Sequence, residues 1–578
     1  MANYQESYTG KISRRLEIKR QVVEVAAGRR PADLVLKNCT YVNVFSNELA
    51  TGDIAITQGL FAGISDHYEG LTQLDMTGKI LLPGFIDAHV HLESALVSPA
   101  QFARAVVPHG TTTVITDPHE IANVMGNEGI DYMLQATQGL PLDVFFMLPS
   151  CVPATPMDES GAVLDYRAID SFYDHPRVLG LAEMMNYVGV AGGDRTALEK
   201  IVAAQAHHKK IDGHAPGLEG KDLNAYVAAG VYSDHECYSL EDALNKLRLG
   251  QFIMIREGTA AQNLDALIPL LTTKYQERCM FACDDKHPSD LLERGHIDYM
   301  VRRAIQQGVD PIVAVKAASH YAARYFLLNN RGAIAPGYLA DFVAVDNFEN
   351  FQVLMVAKEG QVWYEDGQMK AFPDPAIEPR LEALAADTFH LSSLTPEDLT
   401  DQRPRGLIGL IPGEILSRDL GYAQAIDVEK DILKIAVVER HKNTHHIGMG
   451  YIQGYGLREG AVATSISHDS HNIIVVGTSE EEMARAVNQV VENRGGIVVW
   501  SKGKPVAQLA LPIAGLMTNQ DLVEVNTLLE RAKEAAFALG VNRGIDPFMT
   551  LSFMALPVIP TLRLTTRGVI DVATQRYV

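Results

Sequence analysis

Eight short apolar runs, each closing on a polar or ionisable residue, constrain the fold more than any other feature of this 578-residue chain. In order they are Phe85–His91, Thr113–Asp117, Val144–Leu148, Val178–Glu183, Ile211–His214, Val231–His235, Phe252–Glu257 and Met280–Asp284. Longer stretches of helical character separate them, such as "DRTALEKIVAAQAHHKK" and "SLEDALNKLRLG". Strands that alternate with helices imply a parallel sheet. Eight such units over roughly 200 to 250 residues is the size of a (β/α)8 barrel, whose working face gathers polar residues at the C-terminal ends of its strands. An open doubly wound sheet shares the alternation; the count of eight favours the barrel.

The flanks carry different patterns. "ADLVLKNCTYVNVFSNELATGDIAITQGLFAGIS" before the barrel and "GAIAPGYLADFVAVDNFENFQVLMVAKEGQVWYEDGQ" after it both read as short alternating strands with turns. Two such segments can pair into one β-sandwich built from both ends of the barrel. The expected organisation is therefore α/β: residues 1–80 with 330–375 as a composite β-sandwich, 81–329 as a TIM-type (β/α)8 barrel, a proline-containing acidic linker at 376–404, and an α/β domain over 405–578. In that last domain Ser479 and Glu482 match a capping box. Met483, Val487, Val490 and Val491 form the helix's apolar stripe, and Gly495-Gly496 ends it.

Composition excludes several classes. Apolar residues make up 47% and charged residues 21%, an ordinary globular balance. A net charge of -21 argues against nucleic acid or an anionic membrane surface as partner. No charge-free run is long enough to span a bilayer, and the N-terminus lacks the apolar core of a signal peptide. Five cysteines (Cys39, Cys151, Cys237, Cys279, Cys283) form no closely spaced framework, so reduced thiols in a cytoplasmic protein are expected. Composite domains and the acidic balance suit a homodimer.

The strand ends hold the chemistry. In "LLPGFIDAHVHLESA", His89 and His91 share one face of the first strand, about 7 Å apart. The fourth strand ends in Glu183, the fifth in His214, the sixth in His235 and the eighth in Asp284 and Asp285. A barrel brings these to one mouth. Four imidazoles and two carboxylates suit two divalent ions such as Mn, Fe or Zn, with Glu183 as the bridge between ions ~3.5–4 Å apart. Water held there ionises near neutral pH. Each residue alone has a plainer reading: a lone histidine is more often a satisfied polar group, and "ACDDKHP" can start a helix. Their joint placement at strand ends favours the metal site. Asp284, directly after the apolar run, is preferred to Asp285.

Several motifs resemble the amidohydrolase superfamily and, within it, the bacterial adenine deaminases: "PGFIDAHVHLESA", "DPHEIANVMG", "GLAEMMNY", "DGHAPGL", "YSDHE" and "FACDDKHPSDL". The likeness runs nearly the whole length, including a C-terminal domain that most of the superfamily lacks. It implies hydrolytic deamination of adenine to hypoxanthine and ammonia in purine salvage, with two divalent ions, Mn2+ before Fe2+ or Zn2+. His89, His91, Glu183, His214, His235 and Asp284 take the ligand roles. Glu183 stands where many relatives carry a carboxylated lysine, which weakens a dihydroorotase or hydantoinase assignment.

In the implied reaction a hydroxide attacks C6, Asp284 moves its proton, and a donor serves N1. His119 and Glu120 are the candidates. The plainer reading makes "TDPHE" a helix start with Asp117 as cap and Pro118 at its first position. Glu93, Ser94, Asp117 and Asp285 line the pocket or steady its residues from behind. Glu257 contacts the base or, preferably, forms a surface salt bridge. The histidines of the last domain (His441, His445, His446, His468, His471) are expected to close over the mouth or shape a subunit interface. A second metal site is disfavoured there, since no familiar spacing completes it. The competing functions are a cyclic-amide or N-acyl hydrolase of the same superfamily and a catalytically dead binding module.

Overall fold

The computed structural model describes residues 8–259, 261–412, 414 and 416–578. Helix Tyr8–Ala26 is followed by strands Ala32–Asn43, Glu48–Thr57, Leu60–Ser65, Gly70–Asp75 and Ile80–Pro83. These share one nine-stranded sheet with Phe342–Val345, Val353–Lys358, Gln361–Glu365 and Gln368–Met369. The join is edge to edge: Leu82 pairs antiparallel with Val343, while Thr40 pairs parallel with Ile80. The two flanks thus share one hydrogen-bonded sheet, because Ile80–Pro83 bonds to both of them at once. Its alternating side chains divide in two. Leu36, Ile54 and Phe61 pack with Phe342 and Met355, whereas Val35, Ala55 and Ala62 pack under Val22 and Val25 of the helix.

Eight strands form at the expected apolar runs, parallel within each of two sheets. They are β1 (Phe85–Val90), β2 (Thr111–Thr116), β3 (Asp143–Leu148), β4 (Val178–Met184), β5 (Lys210–Gly213), β6 (Ser233–Asp234), β7 (Phe252–Arg256) and β8 (Cys279–Ala282). They lie in two sheets, β1 to β5 and β6 to β8, each in chain order. One seam is held by Tyr232 N–H donating to Ile211 O at 2.9 Å. The other is held by Asp284 N–H donating to His89 O at 2.8 Å. The expected continuous ring is therefore interrupted, and side chains explain why. At the first seam Asp234 Oδ2 accepts Ala215 N–H at 2.8 Å, and Ser233 Oγ donates to Asp212 Oδ1, in place of ladder bonds. At the second, Asp87 Oδ1 accepts Cys283 N–H and His89 N–H, bending β1 just before its histidines. Ile86, Ala88, Ile115, Met147, Ala182, Met254, Met280 and Ala282, from six of the strands, pack into one apolar cluster.

Residues 376–404 carry helix Pro379–Ala386 and bury Leu399, so the expected linker is a packed segment. Beyond it an eight-stranded sheet runs from Arg405–Leu410 to Lys504–Ala510. Helix Glu480–Glu492 lays Met483, Val487 and Val490 on Val438, Val475 and Val498 of that sheet. Ser479 caps it by accepting Glu482 N–H, but no return bond from Glu482 completes the box. Gly495, at φ 110°, turns the chain where a side chain would be strained. The domain reaches the barrel through its backbone, Thr518 N–H donating to Leu96 O and Ser98 N–H to Thr518 O. Among the described residues no helix is long and apolar enough to cross a membrane.

One buried ion pair sets the β5–β6 mouth. Lys246 is fully buried on helix Leu240–Arg248 and donates to Asp234 Oδ1 at 2.9 Å and to Ala215 O at 2.7 Å. Asp234 in turn accepts N–H bonds from Ala215 and Glu236, the neighbours of His214 and His235. Removing the ammonium leaves a buried carboxylate uncompensated, so Lys246→Ala is expected to lower unfolding free energy by about 3–5 kcal/mol in urea denaturation.

Candidate metal centre and active site

Glu183, at the end of β4, is the centre of the arrangement. Its Oε1 lies 3.3 Å from His91 Nε2 and 3.8 Å from His89 Nε2, and its Oε2 lies 2.7 Å from His214 Nδ1 and 3.2 Å from His235 Nε2. One carboxylate oxygen thus faces each imidazole pair. Asp284 closes the first pair, with Oδ1 3.1 Å from His91 Nε2 and 3.6 Å from His89 Nε2. The His89 and His91 rings stand edge to face at 4.8 Å, as two imidazoles on one strand face should. All six residues expected as ligands are brought together. His89, His91, Glu183, His235 and Asp284 are buried, and the His214 side chain is 18% exposed.

Whether these residues suit a cation can be tested on their own bonding. His89 Nε2 is buried with no hydrogen-bond partner although it points at two carboxylates, as a metal-directed nitrogen would. Nitrogen and carboxylate donors grouped as His89–His91–Asp284 and His89–Glu183–His235 are a borderline-hard set that suits first-row divalent ions. The residues fit. Asp284 is also held in the left-handed region, φ 61°, a backbone strain that sets its carboxylate among the imidazoles.

Two residues that the strand-end pattern passed over complete the charge balance. Arg256 ends β7, donates to Asp284 Oδ2 at 2.5 Å and also bonds Glu236 Oε1. Glu236 lies 3.3 Å from His235 Nε2 and 3.6 Å from His214 Nδ1. Burial alone would raise the Asp284 carboxyl, but Arg256 and then His89 and His91 hold it well below its ordinary value. For Glu183, His214, His235 and His91 outweigh burial in the same direction. The sequence signal for Glu236 was adjacency in "SDHE". For Arg256 it was strand parity: Glu257, one residue on, turns to the opposite side. Glu257 is buried and pairs with the half-exposed Arg294 at 3.5 Å, so the expected salt bridge forms at the protein's edge.

The segment after β2 departs from its plainer reading. Helix His119–Met125 has Pro118 at its N-cap and no side-chain cap there. The Asp117 carboxylate goes instead to His119 Nδ1 at 2.9 Å, and Ile121 N–H is taken by Glu93 Oε1 at 3.3 Å. Asp117 is therefore not a cap, because the nearer imidazole claims it. Burial and the neighbouring Glu120 push the Glu93 carboxyl up to about 7. His119 Nδ1 is 3.4 Å from Glu183 Oε1, and its Nε2 is 3.4 Å from Glu120 Oε1. Ser94 donates to Asp285 Oδ1 at 2.5 Å, and Asp285 also reaches the cavity that the histidines line.

These groups open on a cavity of about 350 Å³, a size suited to a small organic ligand. Its floor is His91, Glu183, His214 and Asp284, and one side is His119 and Glu120. The roof comes from the C-terminal domain: Leu416, His468, Asp469, Phe553, Leu556, Val558 and Ile559. His468 and His471 both meet Glu120, and of the two His468 lines the cavity. His441 instead bonds Ser470 O within its own domain, and His446 pairs with Glu159 across the domain contact.

Residues 80–363 match the Amidohydrolase family model, and residues 415–576 match the Adenine deaminase C-terminal domain model. Strand-borne His-x-His, further strand-end ligands and that match define an amidohydrolase, a class of metal-dependent hydrolases. An adenine deaminase of Desulfatibacillum aliphaticivorans is 48% identical, covering 96% of this chain and 99% of its own length. Another, from Kosmotoga olearia, is 45% identical, covering 96% and 98%. The chain belongs to the adenine deaminase family. A crystal structure of β-aspartyl dipeptidase from Fervidobacterium islandicum AW-1 aligns with 59% of this chain and 99% of its own, at TM-score 0.45 and 19% identity.

Arg256 neutralises two carboxylates at once. In metal-stripped protein, Arg256→Met is expected to cost about 3–5 kcal/mol of unfolding free energy, measured by thermal or urea denaturation against the stripped parent.

Proposed function

We propose that this enzyme deaminates adenine hydrolytically to hypoxanthine and ammonia, at a centre whose residues would hold two divalent ions. The observation that carries the reading is the division of one buried carboxylate between two imidazole pairs, Oε1 toward His89 and His91 and Oε2 toward His214 and His235. His89, His91, Glu183 and Asp284 would hold one ion; Glu183, His214 and His235 would hold the other. When bound, such ions supply the Lewis acidity that ionises water near neutral pH. Manganese is the ion we favour, on the resemblance to adenine deaminases; the nitrogen and carboxylate donors themselves suit manganese, iron and zinc alike.

The chain's own groups account for the rest. Adenine lies flat in the cavity, its faces against the apolar wall of Phe553, Leu556, Val558 and Ile559, which also excludes bulk water. Water adds to C6 as a C–O bond forms, and the C6–N bond to the amine breaks. Asp284 takes the proton of the attacking water on Oδ1, because Arg256 pins Oδ2. Glu120 or His119 carries the second proton of the added water to N1, where negative charge develops; both border the cavity. Ammonia leaves with the proton that Asp284 carried.

We read the eight strands as one barrel, with the two sheets closed by the seam bonds at Tyr232 and Asp284. Its limits are 81–329, flanked by the composite β domain (1–80 with 330–375), the segment 376–404, and the C-terminal domain from 405. Five free, buried cysteines suit a reducing cytoplasm.

The test is a spectrophotometric assay with adenine on metal-reconstituted protein, run beside hydantoin and dihydroorotate. Ammonia and hypoxanthine are expected from adenine and no ring opening from the others. Asp284→Asn is expected to lower kcat by about 10³-fold or more with metal still bound. Glu183→Gln, lacking the shared charge, is expected to bind about one ion or fewer per chain by elemental analysis; two ions retained in that variant would remove the bridge.

A further inference from the structure

Glu120 stands on the barrel, but most of what holds it stands on the other domain. Its Oε2 is bonded by His471 Nε2, and its Oε1 lies 2.9 Å from His468 Nδ1. Among the described residues the barrel group on it is His119 Nε2, at the longer distance of 3.4 Å. These contacts join residues some 350 positions apart in the chain.

The His471 ring has a defined proton. Its Nδ1 accepts Ser467 N–H at 3.2 Å, so that nitrogen carries the lone pair and Nε2 carries the hydrogen. A neutral His471 therefore donates to Glu120. Burial pushes His471 below its ordinary value, which agrees with a neutral ring. The backbone is built to present it: His471 sits at φ 53°, an uncommon conformation for a side-chain-bearing residue. The buried guanidinium of Arg440 bonds His471 O while donating to Thr388 O and Ala514 O. The same loop is tied again where Ser465 Oγ donates to Gly515 O at 2.6 Å. His468 is fixed by stacking on Phe553, centroids 4.9 Å apart at 21°.

A carboxylate free at the rim of a cavity would sample several rotamers. Two imidazoles on its two oxygens remove that freedom. We propose that His471 and His468 are positioning residues for the deamination, a clamp from the C-terminal domain that fixes the Glu120 carboxylate against the purine edge. This gives the extra domain a role beyond covering the mouth: it supplies the second half of a group whose first half is on the barrel. The inference rests on the reading of Glu120 as the group that serves N1.

The test compares His471→Ala, His471→Gln, His471→Phe and Glu120→Gln as full-length, metal-reconstituted proteins, measuring kcat, KM for adenine, metal per chain and thermal midpoint. Glutamine keeps an amide N–H where the imidazole Nε2–H was; phenylalanine keeps volume only. The clamp predicts that His471→Ala and His471→Phe lose about 100-fold in kcat, with KM within about threefold and metal content unchanged, and that His471→Gln recovers most of the rate. A His471→Ala or His471→Phe enzyme with full kcat overturns the clamp. So does a Gln variant as slow as the Phe variant at equal metal content and thermal midpoint, since the donated hydrogen bond would then be irrelevant. Glu120→Gln at full rate overturns the reading of Glu120 itself, whatever the His471 variants show.

Discussion

A buried carboxylate with five imidazoles around it is the constraint on which the rest of this structure turns. Glu183 has nitrogen atoms of His89, His91, His119, His214 and His235 within 4 Å. So dense a set of donors, taken out of water, is costly unless cations or protons compensate it. A folded chain keeps such a cluster only where the backbone dictates it from several directions. Here it does so through the ends of five strands, β1, β2, β4, β5 and β6, and the turns that follow them.

The supports are themselves buried charges, arranged outward from the centre. Lys246 and Asp234 fix the turns that carry His214 and His235. Arg256 lies between Glu236 and Asp284 and lets two acids sit side by side. Asp87 takes two backbone N–H groups where β1 and β8 part. Asp234 and Asp87 take backbone N–H groups at the seams, so the breaks between the five-stranded and three-stranded sheets lie beside the residues of the centre. Regular strand pairing and ligand placement compete at those seams, and placement prevails.

The second domain changes what the strand-end centre can do. A barrel mouth is ordinarily shaped by its own βα loops, but here Phe553, Leu556, Val558 and Ile559 form an apolar wall opposite the polar floor. A flat, nitrogen-rich aromatic ring needs both surfaces: contact area for its faces and hydrogen bonds at its edge. The domain brings charge as well. Burial would push the Glu120 carboxyl up, yet His468, His471 and His119 hold it well below its usual range. Burial likewise lowers His468, and Glu120 outweighs it, lifting the imidazole to about 9. Two separately folded surfaces thus share one charge pair.

The sequence by itself determined the strands and the residue types gathered at their ends. Strand periodicity and polar strand ends are local properties, so His89, His91, Glu183, His214, His235 and Asp284 were legible from alternation and position alone, and the His-x-His and "SDHE" motifs needed no contact map. Tertiary structure decided everything that depends on which side chain a polar group finds first. Asp117 has the look of a helix cap but binds His119, and Glu93, 28 residues earlier, takes the helix N–H instead. Arg256 and Glu257 differ by one residue and face opposite ways, a parity that composition does not record. The meeting of Glu120 with His468 and His471 has no local signature at all. It exists because two domains pack, and hydrogen bonds between residues distant in sequence are set by that packing and not by neighbouring letters.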